Sequence, residues 1–223
     1  MTASRRPART ALGGWLTVGL LLSGCAGMLP GVGGQRPPAA TVTPVAPAPA
    51  TTAAAPEPSP TASDLVAARR AAGIEDCPPS SDAPAVPGGL PDVTLECLGG
   101  GSSVRLAGLR GPLMVNLWAQ WCGPCRAEAA HLAAFARIQK SVRVLGIDHS
   151  DPQPELAIEF AQLTAMTYPH LADEEHVLKA PLAVAGIPYT LLLDKSGRIV
   201  ARHPGAFSSF EEVQQWVEQG LGG

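Results

Sequence analysis

Aromatic residues are scarce in this chain, at 4% of 223 residues, and only 16% of the side chains are charged. Neither sign of charge dominates, since the formal net charge is −3. Without the first 24 residues, whose Arg5, Arg6 and Arg9 face no acid, 13 basic and 19 acidic side chains remain. A mildly acidic chain lacks the electrostatic footprint of a nucleic-acid binder, so no nucleic-acid partner is expected. No apolar run reaches the roughly 20 residues that a helix needs to cross a bilayer. No internal repeat is present. Paired metal-ligand spacing is missing as well. A single C-x-x-C is half of a four-ligand zinc site, and Cys77, Cys97, His131, His149, His170, His176 and His203 are scattered. Copper handling finds no Met- or His-rich tract to support it. No metal and no cofactor are therefore expected.

Glycine and proline, in contrast, supply 47 residues, too many for an ordinary compact domain, so part of the chain is expected to be unstructured. The N-terminus has a basic stretch followed by an apolar segment from Ala11 to Leu22, which reads as a signal peptide over residues 1–24. It ends in Leu22-Ser23-Gly24-Cys25, which resembles a bacterial lipobox, with Cys25 as the acylated residue. The twin arginines leave the export route open. Residues 25–64 are Pro, Ala, Thr and Gly with prolines at 44, 47, 49, 56, 58 and 60 and no apolar periodicity. Such a segment buries too little surface to offset ordering entropy and is expected to be a tether, reaching roughly 35 Å as a coil. The expected location is the outer face of the cytoplasmic membrane, anchored by lipid.

The folded part starts with an N-terminal extension over residues 65–89; a short helix is predicted over Ser63–Ala72. A domain follows over 90–223. Val93–Leu95 and Val104–Leu106 flank Gly99-Gly100-Gly101 as a β-hairpin. Leu113–Trp118 and Val142–Ile147 are continuous apolar runs of the kind found in buried central strands. Helices are predicted from Pro124 to about Gln139, over Pro154–Ala165, over Glu174–Val184 with an interruption at Pro181, and over Phe210–Leu221. Strands at Thr190–Leu193 and Ile199–Arg202 flank a turn at Lys195-Ser196-Gly197. The order predicts an α/β fold, a central mixed sheet flanked by helices.

The chemistry concentrates at Cys122 and Cys125, two residues apart at a strand-to-helix junction. There the first sulfur meets unpaired backbone N–H groups and the positive end of the helix dipole, which favour a thiolate. The thiolate is the attacking species in disulfide exchange. The spacing lets the second sulfur close a disulfide, while Gly123 permits a tight turn and Pro124 sets φ at the helix start.

The stretch Trp118-Ala119-Gln120-Trp121-Cys122-Gly123-Pro124-Cys125 resembles the active-site stretch of thioredoxins. The longer run from Val115 to Glu128 is closer to the TlpA/ResA-like branch of exported, membrane-tethered, thioredoxin-like proteins, related to the AhpC/TSA redoxins. The resemblance covers roughly Leu90 to Leu221. It implies a thioredoxin-like fold in which Cys122 attacks and Cys125 resolves. Glu128 matches an acid near the dithiol that tunes proton transfer, while Asn116 stands where cytoplasmic thioredoxins carry a buried Asp. Pro188, in Gly186-Ile187-Pro188, matches a cis proline facing the dithiol. Trp121, Ile187 and Pro188 are expected to meet the substrate. Ala130 replaces a proline usual in the family, which puts the helix geometry below the site in question.

The same resemblance implies an enzyme exchanging disulfides with exported proteins, acting as a reductant fed by a membrane thiol carrier, with apocytochrome c among the clients of such proteins. An oxidase or isomerase of secreted proteins is the alternative, and a non-catalytic metal- or partner-binding lipoprotein is a second alternative of another class. A peroxiredoxin-type peroxidase is disfavoured, because no lone peroxidatic cysteine follows a Pro/Thr-containing loop. A monomer is expected. Cys77 and Cys97 remain, and in an oxidising compartment the expectation is a structural disulfide contributing roughly 3 kcal/mol. A second redox pair is the sharper alternative.

Overall fold

The structure, a computed structural model, describes residues 60–222. The signal peptide at 1–24, Cys25 and the tether up to residue 59 lie outside the described residues. Among the described residues no helix is long and apolar enough to cross a membrane.

Seven strands form one mixed sheet: β1 (Thr94–Cys97), β2 (Ser103–Arg105), β3 (Leu113–Trp118), β4 (Arg143–His149), β5 (His170–Asp173), β6 (Tyr189–Leu193) and β7 (Ile199–Pro204). Their spatial order is β2-β1-β5-β4-β3-β6-β7. The β3–β4 and β4–β5 pairs are parallel and the other four antiparallel. Every residue of β3 and β6 is buried, as continuous apolar runs demand of central strands. The expected hairpin is β1–β2, and it extends the sheet at the edge beyond β5.

Side chains alternate between two cores, as the period of a strand requires. Met114 and Trp118 of β3 join Leu132, Phe135, Ile158, Phe160, Val213 and Val217 on one face. Leu113, Val115 and Leu117 join Ile147, Leu171 and Leu191 on the other. The four helices, α1 (Ala62–Ala71), α2 (Gly123–Ile138), α3 (Pro154–Leu163) and α4 (Phe210–Leu221), all contribute to the first core. Irregular chain covers the second, through Leu90, Leu106, Leu109, Leu178, Leu182 and Val184. A capping box of Thr61 and Asp64 starts α1, and Ser209 caps α4 by accepting the Glu212 N–H. Helix α2 runs unbroken past Ala130, so the missing proline leaves it continuous.

The structure corrects two expectations. Residues 174–184 form turns and no helix. Left-handed backbone at His176 (φ 45°) and Ala183 (φ 55°) is incompatible with a helix, and Pro181 withholds an N–H. The Asp173 carboxylate instead accepts the N–H groups of Val177 (2.8 Å) and Leu178 (3.3 Å), which ties the turn to the end of β5. Strand β5 was not foreseen. Its four residues, His-Leu-Ala-Asp, carry neither a long apolar run nor clean alternation, and only pairing with β4 and β1 defines them.

Candidate functional site

Strand β3 ends at Trp118, and the chain turns through Ala119–Trp121 before α2 begins. Cys122 occupies the N-cap of α2 with extended backbone (φ −81°, ψ 110°), and Pro124 stands in the first turn, where a missing N–H costs nothing. Cys122 Sγ accepts the backbone N–H of Cys125 at 3.2 Å. The two sulfurs are joined as a disulfide with Cα atoms 5.3 Å apart. This is the placement that favours a negative sulfur once the bond is reduced, because the helix's orphan N–H groups point at Cys122.

The two cysteines differ in access. Both are largely buried, yet Cys122 lines an open groove of about 440 Å³ whose lining does not include Cys125. Trp121 forms one edge of this groove, 55% exposed, with its indole N–H donating to the Ser150 carbonyl at 3.3 Å. The opposite edge is the loop ahead of β6. The Ile187–Pro188 peptide bond is cis, and the Ile187 carbonyl oxygen lies 3.7 Å from Cys122 Sγ. The backbone groups of Ile187 make no backbone hydrogen bond among the described residues. An extended peptide passing Cys122 would find main-chain partners there.

Beneath the dithiol, Glu128 projects from α2 one turn after Cys125 and is buried. The Asn116 amide donates to Oε1 at 2.9 Å and the Phe207 N–H donates to Oε2 at 3.0 Å. Asn116 also donates to Thr190 Oγ1 at 3.0 Å, which joins α2, β3 and β6 in one network. Burial pushes the Glu128 carboxyl up to about 7, against the two donors, which favour the carboxylate. A carboxyl titrating there can hold or release a proton near neutral pH.

Several polar residues at this end of the sheet were given no part in the site from the sequence, His149 and His176 having been weighed only as metal ligands. Asp148 is buried with Oδ1 unpartnered, and burial, then Asp151 and Glu174, push it up to about 9. His149 pairs through Nδ1 with Asp173 at 2.7 Å, and His149, His176 and Lys179 line the groove beside Cys122. One signal could have found them: Asp148-His149 closes the apolar run of β4, and the carboxyl ends of parallel strands are where open α/β sheets place their sites.

Cys77 and Cys97 are joined as a disulfide, Cα atoms 5.9 Å apart, away from the groove lining. Arg69 of α1 is 3% exposed, its Nη1 against Cys97 Sγ and its Nη2 on Asp76 at 2.8 Å. Of the histidines considered as ligands from the sequence, His149 pairs with Asp173 beside the His176 ring, His170 pairs with Trp118, and His203 stacks on Phe207. Among the described residues no three His, Cys, Asp or Glu cluster to hold a metal ion.

Comparison with known proteins places this geometry. Residues 88–202 match the family model described as the AhpC/TSA family. Over 95 residues the chain is 39% identical to the thiol:disulfide interchange protein DsbE of Tatumella citrea, covering 42% of this chain and 50% of that one. Over 131 residues it is 28% identical to the thiol-disulfide oxidoreductase ResA of Geobacillus thermodenitrificans, covering 57% and 74%. The chain thus spans half the length of the first relative and about three quarters of the second. Among solved structures, MTB DsbF in its mixed oxidized and reduced forms superposes with a TM-score of 0.55 at 25% identity, over 61% of this chain and 100% of that one. The fold is thioredoxin-like.

Proposed function

The chain belongs to the AhpC/TSA family, and from that premise we propose that it is a thiol–disulfide oxidoreductase that exchanges disulfides with exported proteins through Cys122 and Cys125. The observation that carries the reading is Cys122 at the N-cap of α2, on an open groove, with Cys125 bonded behind it. DsbE and ResA, named for this chemistry, support it.

In the reducing direction the Cys122 thiolate attacks one sulfur of a client disulfide. A mixed disulfide forms between Cys122 and that sulfur, and the client's other sulfur leaves as a thiolate. Cys125, deprotonated, then attacks Cys122 Sγ, and the client leaves with both cysteines reduced. The two electrons came from the dithiol, which ends as the Cys122–Cys125 disulfide. Trp121, Ile187 and cis Pro188 hold the client segment, and Glu128 exchanges the proton that Cys125 must lose.

Residues 1–24 direct export, Cys25 carries the lipid, and the tether lets the domain reach clients at the outer face of the cytoplasmic membrane. A membrane thiol carrier restores the dithiol, and apocytochrome c is among the clients that fit a reductant of this kind. The domain acts as a monomer, with Cys77–Cys97 as a structural bridge. Trapping mixed disulfides in cells with a Cys125→Ser variant tests the reading. Captured proteins joined through Cys122 support it, and a variant that captures nothing overturns it. The redox potential decides direction: a value near thioredoxin's, about −270 mV, marks a reductant, and one near −120 mV an oxidase.

A further inference from the structure

Besides Trp121 and Ile187, the groove beside Cys122 is lined by His149, Ser150, His176 and Lys179. No carboxylate lines this space. Asp173 is buried and occupied, since it pairs with His149 and accepts the Val177 and Leu178 N–H groups, and Asp151, beside Ser150, is buried and accepts the Gln120 and Gln153 N–H groups. Glu174 and Glu175 line a different cleft, with Thr94–Glu96 and Val177.

The basic wall is built. Asp173 holds the His149 ring through Nδ1 at 2.7 Å. The His176 ring stands 6.3 Å from the His149 ring, edge to face, at the exposed rim. Lys179 follows on the same turn, which the buried Leu178 anchors to the core. Lys179 supplies a full positive charge, and the exposed His176 ring supplies an N–H able to donate to a carboxylate, while His149 Nδ1 is committed to Asp173.

We propose that this wall makes the groove selective for client cysteines with an acidic residue two positions away, the carboxylate lying against Lys179 and His176 while the client backbone pairs at Ile187. The proposal rests on the disulfide-exchange reading and names its substrate class. Side chains of an extended peptide alternate between two faces, so with a cysteine turned to Cys122 the side chains two positions away share its face and meet the groove lining. Trp121, His176 and Lys179 all belong to that lining. Opposite charge at such a rim acts chiefly on the rate of productive encounter and is screened by salt.

The test uses the reduced full-length chain and three synthetic peptides, each closed by one internal disulfide with Glu, Gln or Lys two positions from the cysteines. Rates of reduction are divided by the rate of each peptide with dithiothreitol, which removes the effect of the flanks on intrinsic reactivity. The Glu peptide should react about three- to tenfold faster than the Gln peptide at low salt, and the advantage should shrink in 1 M salt. Lys179→Glu, an exposed substitution, should reverse the order in favour of the Lys peptide, and His176→Gln should reduce the Glu advantage. Equal normalised rates for the three peptides, or a Glu:Gln ratio that Lys179→Glu leaves unchanged, overturns the selectivity and leaves the exchange reading standing. Failure to reduce any of the three overturns both.

Discussion

The Cys122–Cys125 disulfide joins residues three apart at the start of a helix, beside an open groove. The Cys77–Cys97 disulfide joins residues twenty apart and fastens the N-terminal extension to β1. Positive potential is present at both. The first pair has the end of the α2 dipole, and the second has the buried Arg69 guanidinium against Cys97. A cation beside a sulfur favours thiolate wherever it sits, so charge alone does not separate the two. Access does. Cys122 meets a groove, whereas Cys97 lies within the sheet, paired to Leu171 of β5 and 1% exposed, and Cys77, though half-buried, is outside that groove with its Sγ against the His170 carbonyl. The entropy of the unfolded chain divides them the other way, since a bridge across twenty residues restrains far more of it than a bridge across three.

The largest expected effect breaks the first pair. Cys122→Ser should lower disulfide exchange by at least about a thousandfold, because the nucleophile itself is gone. An insulin-reduction assay reads it, and retained turnover would place the chemistry elsewhere. Breaking the second pair should do the reverse. The double variant Cys77→Ser with Cys97→Ser should lose about 3 kcal/mol of stability in a denaturant titration while exchange continues through Cys122. A folded double variant with turnover lost would assign Cys77–Cys97 to the electron path.

How far each pair could be read from the sequence follows the same division. The dithiol was legible because its chemistry is local: Cys-Gly-Pro-Cys after an apolar run specifies a strand, a helix start and a thiolate site within ten residues. The central strands were legible for a similar reason, since Leu113–Trp118 and Val142–Ile147 are apolar throughout. The groove's far wall was not. It is made by turns at 174–187, where a helix over Glu174–Val184 interrupted at Pro181 was expected. What prevents the helix is the Asp173 carboxylate and left-handed backbone at His176 and Ala183, and neither leaves a pattern in the sequence. Asp148 and Asp173 escaped notice, and His149 was weighed only as a metal ligand, because their partners arrive only when β4 and β5 pair.

Glu128 sharpens the contrast, since it lies under the dithiol and the second pair has no counterpart described here. Burial raises its folded pKa from 4.5 to about 7. Between these values the folded state holds a proton that the unfolded state has released, so stability falls as pH rises through the window. Glu128→Gln removes this dependence. The variant should gain on the wild type by up to about 3 kcal/mol between pH 5 and pH 8, measured as the difference between two denaturant titrations at each pH. Asp148, raised for the same reason, stays in both proteins and cancels in that difference. The rate of exchange should also lose an inflection near neutral pH. An unchanged rate profile would leave Glu128 a purely structural group.

The smallest expected effect asks whether the two regions communicate. His170 of β5 stands between them. Its carbonyl oxygen lies 3.2 Å from Cys77 Sγ, and its Nδ1 accepts the indole N–H of Trp118 at 3.1 Å, four residues before Cys122. Nε2 faces the Met166 carbonyl at 3.0 Å, which sets the ring as neutral with its proton on Nε2, and burial holds its pKa down at about 4. Gly146 makes this pairing possible, because a Cβ there would run into the His170 ring and the Trp118 indole nitrogen. Trp118→Phe leaves Nδ1 buried without a donor and should cost about 1–3 kcal/mol. Combined with the Cys77/Cys97 double variant, it completes a thermodynamic cycle. If His170 couples the two disulfides, the combined loss should depart from the sum by about 0.5 kcal/mol or more; a sum additive to within about 0.3 kcal/mol makes them independent neighbours in one sheet.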